Sequence, residues 1–565
     1  MIRQISTVLF CLFVCSCQKS EAQLTIQNGA SLHMQAASQI SVQGNFENAG
    51  AFQNNGVLKL QGNYTNTGAY MEGNANAIFE IYGAGNTELN AGSSPVANLV
   101  INKTGASDLV KLKSTLVVSK TLRLTNGIFT TDPVANPSFS VTSPAAANYQ
   151  FAPGKEIIGT VKKTGWVSDT AIVFNQENML VKTSGGNSPS VIAVTMIPQI
   201  GGGDPSQDER EVKRKYVFSK TGGGGFSADI RYPYNGTSEL LSNVEANLVP
   251  WKLTSFEWNA ALNAVTNNTD KDYVSISGIH DSAFSGEWKL ADPNYNLSLK
   301  AFLKGAWKNT TGSMSTVLNS SGLLPLRQPF AGSPTLYAGT ESVSAMPNAN
   351  IVDWVLIECR KPASGLAPNA NASTVIGRKA AFLLQNGTIA DLNGTSPVLM
   401  TISKQGSGNY IVLKHRNHLA VMSTARASSN TGTFSNDFSA LANVYQKPTA
   451  SSAPMCLLAS SIPGNTLYGL WPGDANANGN VGLEDIAPIN IAIAGPTVAN
   501  SNVYSPMDMN LDKHITAADV SVTRTAMAGF AQTSTSKMPV SNSTNPNTVS
   551  EKVELTTHVP ENIKQ

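Results

Sequence analysis

Charge is scarce in this chain. Asp, Glu, Lys and Arg make up only 13% of its 565 residues, against ~25% in average globular proteins. The 39 basic and 37 acidic residues nearly cancel, leaving a formal +2, so the chain carries no basic footprint for a nucleic acid. Its one charge-dense stretch, DPSQDEREVKRKYVF at Asp204–Phe218, mixes both signs and reads as a solvated loop entering a strand. Cysteine is scarcer still. Cys11, Cys15 and Cys17 lie in or beside an amino-terminal leader, which leaves Cys359 and Cys456. Two cysteines exclude a disulfide scaffold and allow either one bridge or two buried small side chains. After the leader no apolar run is long enough to span a bilayer. Catalytic signatures are missing as well: there is no Gly-x-Ser-x-Gly, no phosphate loop and no zincin helix. Carboxylates brought together from distant strands are an enzymatic arrangement this leaves open.

What the chain does have begins with MIRQISTVLFCLFVCSCQKSEAQ: Arg3, an apolar core from Ile5 to Val14, then small and polar residues. That is an export signal over residues 1–22. Two processing outcomes fit it. Val14-Cys15-Ser16-Cys17 resembles a lipobox with Cys17 lipidated, which would be the chain's one membrane attachment, and Ser20-Glu21-Ala22 suits cleavage before Gln23.

Short runs of alternating apolar and polar residues recur along the rest, predicting a mainly β protein of about three to five domains. Residues 23–138 are rich in Asn and Gly, with GNFENAG at Gly44–Gly50 and the near copy GNYTNTG at Gly62–Gly68. Stacked β-solenoid-like repeats are expected there. Residues 139–293 predict an antiparallel β-sandwich, and Trp166, Trp251, Trp258 and Trp288 fall within it. These indoles suit core packing, and alternatively a platform for stacking sugars. Residues 294–464 predict a second β-sandwich-like module, with WVLIECR and YIVLKHRNHLAV read as half-buried strands and turns at Asn386-Gly387 and Asn393-Gly394. His415 and His418 lie three apart, on opposite faces of an extended strand, so they read as structural rather than metal-binding. After residue 530 the polar tail 531–565 is expected to be disordered.

Between these lies a pattern repeated twice, DANANGNVGLED at Asp474–Asp485 and DMNLDKHITAAD at Asp508–Asp519. A calcium loop of twelve residues takes side-chain oxygens from positions one, three and five, a main-chain carbonyl from seven and a carboxylate from twelve. The candidate ligands are Asp474, Asn476, Asn478, the carbonyl of Asn480, and Asp485 in the first loop. In the second they are Asp508, Asn510, Asp512, the carbonyl of His514, and Asp519. Hard oxygen donors at this spacing suit calcium, one ion per loop. Position six needs a sharp turn, which Gly479 supplies and which Lys513 must adopt at some cost. Position eight is apolar in both loops, Val481 and Ile515. A helical stretch follows each loop, EDIAPINIAIAG to Gly495 and AADVSVTRTAMAG to Gly529, each ending in a glycine suited to a helix C-cap.

A duplicated loop–helix unit with aspartate at position twelve resembles a type I dockerin domain, covering residues 465–530. That resemblance implies a cohesin-type partner. In cohesin-binding dockerins a matched polar pair precedes the last ligand in both halves, whereas here the pairs are Leu483-Glu484 and Ala517-Ala518, which argues against dual-mode docking. An intramolecular partner is the alternative, with calcium folding the module against the preceding sandwich. The stretches GLLPLRQPF, VDWVLIECR and LKHRNHLAVMS resemble a module of haemagglutinin-like or adhesin-like bacterial surface proteins, and the Asn/Gly repeats are similar to the amino-terminal parts of such proteins. The expected function is that of an exported, non-catalytic structural or adhesive protein of the cell surface, or a secreted one, with a surface glycan or host ligand. The alternative is a carbohydrate-active component that docks to a cohesin and binds or cleaves glycan around Trp251 and Trp258.

Overall fold

The computed structural model describes residues 23–92, 94–131, 139–141, 149–198, 210–255, 257–429, 432–447, 453–459 and 466–529. Residues 1–22, where the export signal with Cys17 and Ala22 is expected, and residues 531–565, where the disordered tail is expected, lie outside the described residues. The chain is mainly β and divides into two compact units. One is built from Met1–Gln199, Lys213–Glu239 and Asn263–Lys289, the other from Ile200–Val212, Leu240–Leu262 and Leu290–Gln565.

The first unit starts as a parallel stack with three faces. On one face Leu24, Phe46, Tyr64, Leu89 and Leu112 sit in register. On a second, Ile40, Leu58, Phe79, Leu99, Leu122 and Tyr149 do the same. Leu32, Phe52 and Tyr70 make the third. Most of these strands alternate inside and outside, so successive rungs deliver apolar side chains to a shared interior. The two near copies are neighbouring rungs: Phe46 pairs with Tyr64, and the Asn48 side-chain amide N–H donates to Asn66 Oδ1 at 2.8 Å in the buried interior. Their closing glycines are a steric requirement, because a Cβ on Gly68 would lie 2.1 Å from the carbonyl oxygen of Gly50.

Parallel pairing runs on past residue 139, with Tyr149–Phe151 on the Leu116–Asn126 strand and Phe129 opposite Ile157. The change to antiparallel comes at Ile157–Thr164, which pairs parallel on one side and with Val191–Pro198 antiparallel on the other. Alternation reads the same for both pairings, so the sequence pattern does not mark the change. Val191–Pro198 then pairs with Glu211–Thr221. A second antiparallel sheet holds Ile172–Val173, Leu180–Ser184, Ser227–Pro233, Tyr273–His280 and Val265–Asn268. Tyr216 meets Tyr232 edge to face at 5.2 Å between these sheets, and Trp288 packs on Tyr232.

In the second unit a five-stranded antiparallel sheet runs in the order Ile389–Ala390, Val375–Leu384, Ile351–Arg360, Tyr410–Lys414, Val421–Met422. A three-stranded sheet of Val398–Thr401, Asn294–Lys300 and Thr433–Asp437 shares its core. The half-buried reading of WVLIECR is corrected here, since all ten residues of Ile351–Arg360 are buried. Residues 301–350 fold over this sheet, adding Trp307, Leu318, Leu324 and Phe330 to the same core, and the Trp354 indole N–H donates to the Pro325 carbonyl at 2.8 Å. The buried strand still carries Glu358, which is ion-paired to Arg360, to Lys414 at 2.8 Å and to Arg378 at 3.1 Å. Burial alone would raise its carboxyl, but these three cations outweigh it and hold it down at about 2. Cys359 is buried, Cys456 is half-buried, and both are free thiols. Trp251 is fully buried with its indole N–H on the Ala291 carbonyl at 3.0 Å, and Trp258 is 7% exposed. Among the described residues no helix is long and apolar enough to cross a membrane.

Candidate metal centre

The two Asp/Asn loops fold alike. In the first, the Asp474 carboxylate accepts the N–H groups of Asn478 and Gly479 at 2.9 and 3.0 Å. In the second, the Asp508 carboxylate accepts those of Asp512 and Lys513 at 3.0 and 2.9 Å. Asn476 and Asn510 each accept from the residue two further on, as do Asn478 and Asp512, whose oxygens receive the N–H groups of Asn480 and His514. Asp485 closes the first loop by accepting from Asn476 at 3.3 Å and Gly482 at 2.9 Å. Asp519 closes the second by accepting from Asn510 at 3.3 Å and Thr516 at 2.8 Å. Backbone direction matches too. Position six is left-handed in both, Gly479 at φ 85° and Lys513 at φ 73°, and so is position four, Ala477 at φ 53° and Leu511 at φ 55°. The lysine therefore takes the unfavourable conformation its place in the loop demands.

Each loop runs into a helix, Leu483–Ala494 and Ala517–Gly529. Asp485 lies in the first turn of its helix and accepts the N–H of Gly482, so one carboxylate both closes the loop and caps the helix. Pro488 sits inside the first helix without ending it. Gly495 does follow that helix, but its φ of −82° is not left-handed, so the glycine is not needed there for its backbone freedom. Ile486 and Ile489 of the first helix pack with Met509, Ile515 and Val520 in a small apolar core. The second loop's apolar position is held by the stretch after the first helix: Ile515 N–H bonds to the Asn500 carbonyl at 2.8 Å, and His514 bridges to Ser501.

Asp474 is 4% exposed, and Asp485, Asp508 and Asp519 are fully buried. Burial, then the facing Asp485, pushes the Asp474 carboxyl up to about 7. Burial also pushes Asp508 up to about 7, opposed by the charge of Arg416 and assisted by Asp519. Buried carboxylates facing each other at this cost are what a divalent cation would stabilise. Among the described residues no three His, Cys, Asp or Glu side chains converge as a metal site. An ion in either loop therefore needs the asparagine and main-chain oxygens as well, a donor set that suits calcium.

The sequence did not point to what anchors these loops. Leu511, at position four of the second loop, is 1% exposed and belongs to the sandwich core rather than to the module's own. Asp353 of the central strand accepts the Tyr504 hydroxyl at 2.7 Å, Arg416 Nε at 3.0 Å and the N–H of Trp354 at 2.7 Å, and lies 3.2 Å from His415 Nε2. Arg416 also donates to the Ser505 carbonyl and stacks over the Tyr504 ring. The opposite-face expectation for the two histidines fails because the strand ends at Lys414, and the rings meet 4.9 Å apart. Their structural reading fits the geometry. His418 Nε2 accepts the N–H of Gly305 at 3.1 Å, which leaves that nitrogen engaged, and burial holds the ring's basicity well below its usual range.

Gly305 gives this contact a sharp test. Its backbone is not left-handed, yet a Cβ there would stand 2.0 Å from the Met509 carbonyl oxygen. Gly305→Ala is expected to lower stability by about 1–3 kcal/mol through forced separation of the second loop. Urea unfolding of the full chain measures this, beside Gly332→Ala, whose Cβ would meet nothing within 4 Å. Equal midpoints for the two variants would refute the contact.

No family model matches the chain, and neither the search of curated proteins nor the search of solved structures returned a match.

Proposed function

We propose that this chain is an exported, non-catalytic structural or adhesive surface protein whose dockerin-like module is folded by two calcium ions and fixed against the sandwich that precedes it. The observation that carries the reading is the duplicated loop, in which equivalent oxygens at positions one, three, five and twelve accept equivalent N–H groups. Asp474, Asn476, Asn478, Asn480 and Asp485 would hold one ion, and Asp508, Asn510, Asp512, His514 and Asp519 the other. Calcium would supply no reaction; it would neutralise buried carboxylates and tie each loop to its helix. The insertion of Leu511 into the sandwich core supports an intramolecular role for the module. The carbohydrate-active alternative draws no support from Trp251 and Trp258, whose indoles are buried and offer no face to a sugar. A cohesin-type partner would find exposed Leu483 and Ile491 on the first helix, at 71% and 75%. The equivalent places on the second helix hold exposed Ala517 and Thr525, so the two halves present unlike surfaces.

Calorimetric titration of the full chain with calcium tests the reading. Two binding events are expected, with Asp474→Ala and Asp508→Ala each losing one. At a hundredfold excess over its dissociation constant each site adds about 2.7 kcal/mol to the folded state, so chelation should lower the melting temperature. No heat and no thermal shift would overturn the proposal.

A further inference from the structure

Asn417 is fully buried just beyond the end of the Tyr410–Lys414 strand, and it touches both loops. Its backbone carbonyl accepts the N–H groups of Gly473 at 3.1 Å and Asp474 at 3.2 Å, where the first loop opens. Its side-chain amide nitrogen donates to the Pro506 carbonyl at 3.1 Å and to the Asp508 carbonyl at 2.6 Å, where the second loop opens. The amide cannot turn over cheaply. Its oxygen lies 2.9 Å from His418 Nδ1, and with His418 Nε2 accepting from Gly305, Nδ1 carries the proton and donates to that oxygen. One sandwich residue thus holds the main chain of the first ligand residue in each loop.

This placement matters because a position-one carboxylate is aimed by its own backbone. Drawing Asp474 onto an ion orders the Gly473–Asp474 peptide, which hangs on Asn417; the same residue sets the Asp508 carbonyl. We infer that Asn417 couples the two loops, so that filling either one tightens the other and both lock the module to the sandwich. The inference rests on the calcium reading above. A second route between the loops exists through the apolar contact of the helices, Ile486 and Ile489 against Ile515 and Val520. The two routes are separable, because side-chain replacement at 417 cuts only the first.

The test is a thermodynamic cycle on the full chain, read by calcium calorimetry. Asp508→Ala empties the second loop and keeps the carbonyl that Asn417 holds. With Asn417 present, first-loop affinity is expected to fall about 5- to 150-fold when the second loop is emptied, the usual span of coupling between sites. With Asn417→Ala, or with the nearly isosteric Asn417→Asp if the alanine variant does not fold, emptying the second loop should leave first-loop affinity unchanged. Coupling that persists in the Asn417 variants would overturn the inference in favour of the helix contact. Independent sites in the unmodified chain would overturn it while sparing the calcium reading, and absence of calcium binding would remove both.

Discussion

Asp353→Ala is expected to cost the second unit about 3–5 kcal/mol, the range for removing one partner of a buried ion pair. The carboxylate is fully buried and meets the Arg416 guanidinium, the His415 ring and the Tyr504 hydroxyl. Taking it away leaves a buried guanidinium without its counter-charge and takes from the phenol this acceptor, across the contact that holds the module. Burial alone would raise this carboxyl, yet Arg416, His415 and Tyr504 together outweigh it and hold it well below the usual carboxylate range. A folded value below the unfolded one means the contribution is complete above the ordinary aspartate value, ~3.9, and is lost as pH falls from there through the folded value. Urea unfolding of the native chain and the variant at neutral and acid pH measures both parts. The gap between them should be widest near neutrality and should narrow below about pH 4. A gap independent of pH, or smaller than ~1 kcal/mol, the scale of an exposed pair, would show that the cluster does not hold the module.

The second large effect is expected at Leu511. Replacement by alanine in a packed core costs about 2–5 kcal/mol, and this leucine is 1% exposed among the sandwich residues although it belongs to the second loop. Its counterpart in the first loop is Ala477, which has the same left-handed backbone but only partial burial. Leu511→Ala should therefore destabilise the sandwich and weaken calcium in the second loop together, since the loop loses its anchor. Thermal unfolding with and without calcium, beside calorimetry, checks both effects. A variant that melts early but binds calcium unchanged would place the leucine in the core without a role in the loop.

How much of this was legible in advance depended on the range of the interactions. A loop of oxygen donors at calcium spacing is a local object, confined to one short segment, so its pattern is written directly in Asp474–Asp485 and Asp508–Asp519. The strain at Lys513 was legible for the same reason. So were the stacked rungs, since the near copies at Gly44–Gly50 and Gly62–Gly68 bring Asn48 opposite Asn66, eighteen residues on. Partners across long separations were not. Tyr504 and Asp353 are 151 residues apart, and Asn417 and Asp508 are 91 apart. A Tyr, an Asp or an Asn in isolation says nothing about which distant group will satisfy it.

By itself the sequence determined a mainly β chain, the alternation that makes its strands, and two loops with oxygen donors at calcium spacing, because each follows from backbone periodicity and near-neighbour geometry. Only the tertiary structure decided that Ile351–Arg360 is buried throughout, that Trp251 and Trp258 are core rather than platform, and that Arg416, Asn417 and Leu511 join the module to the sandwich. Those outcomes depend on which surfaces come to cover one another, and covering is a property of the assembled chain: the same apolar or hydrogen-bonding side chain serves equally well wherever a complementary surface excludes water from it.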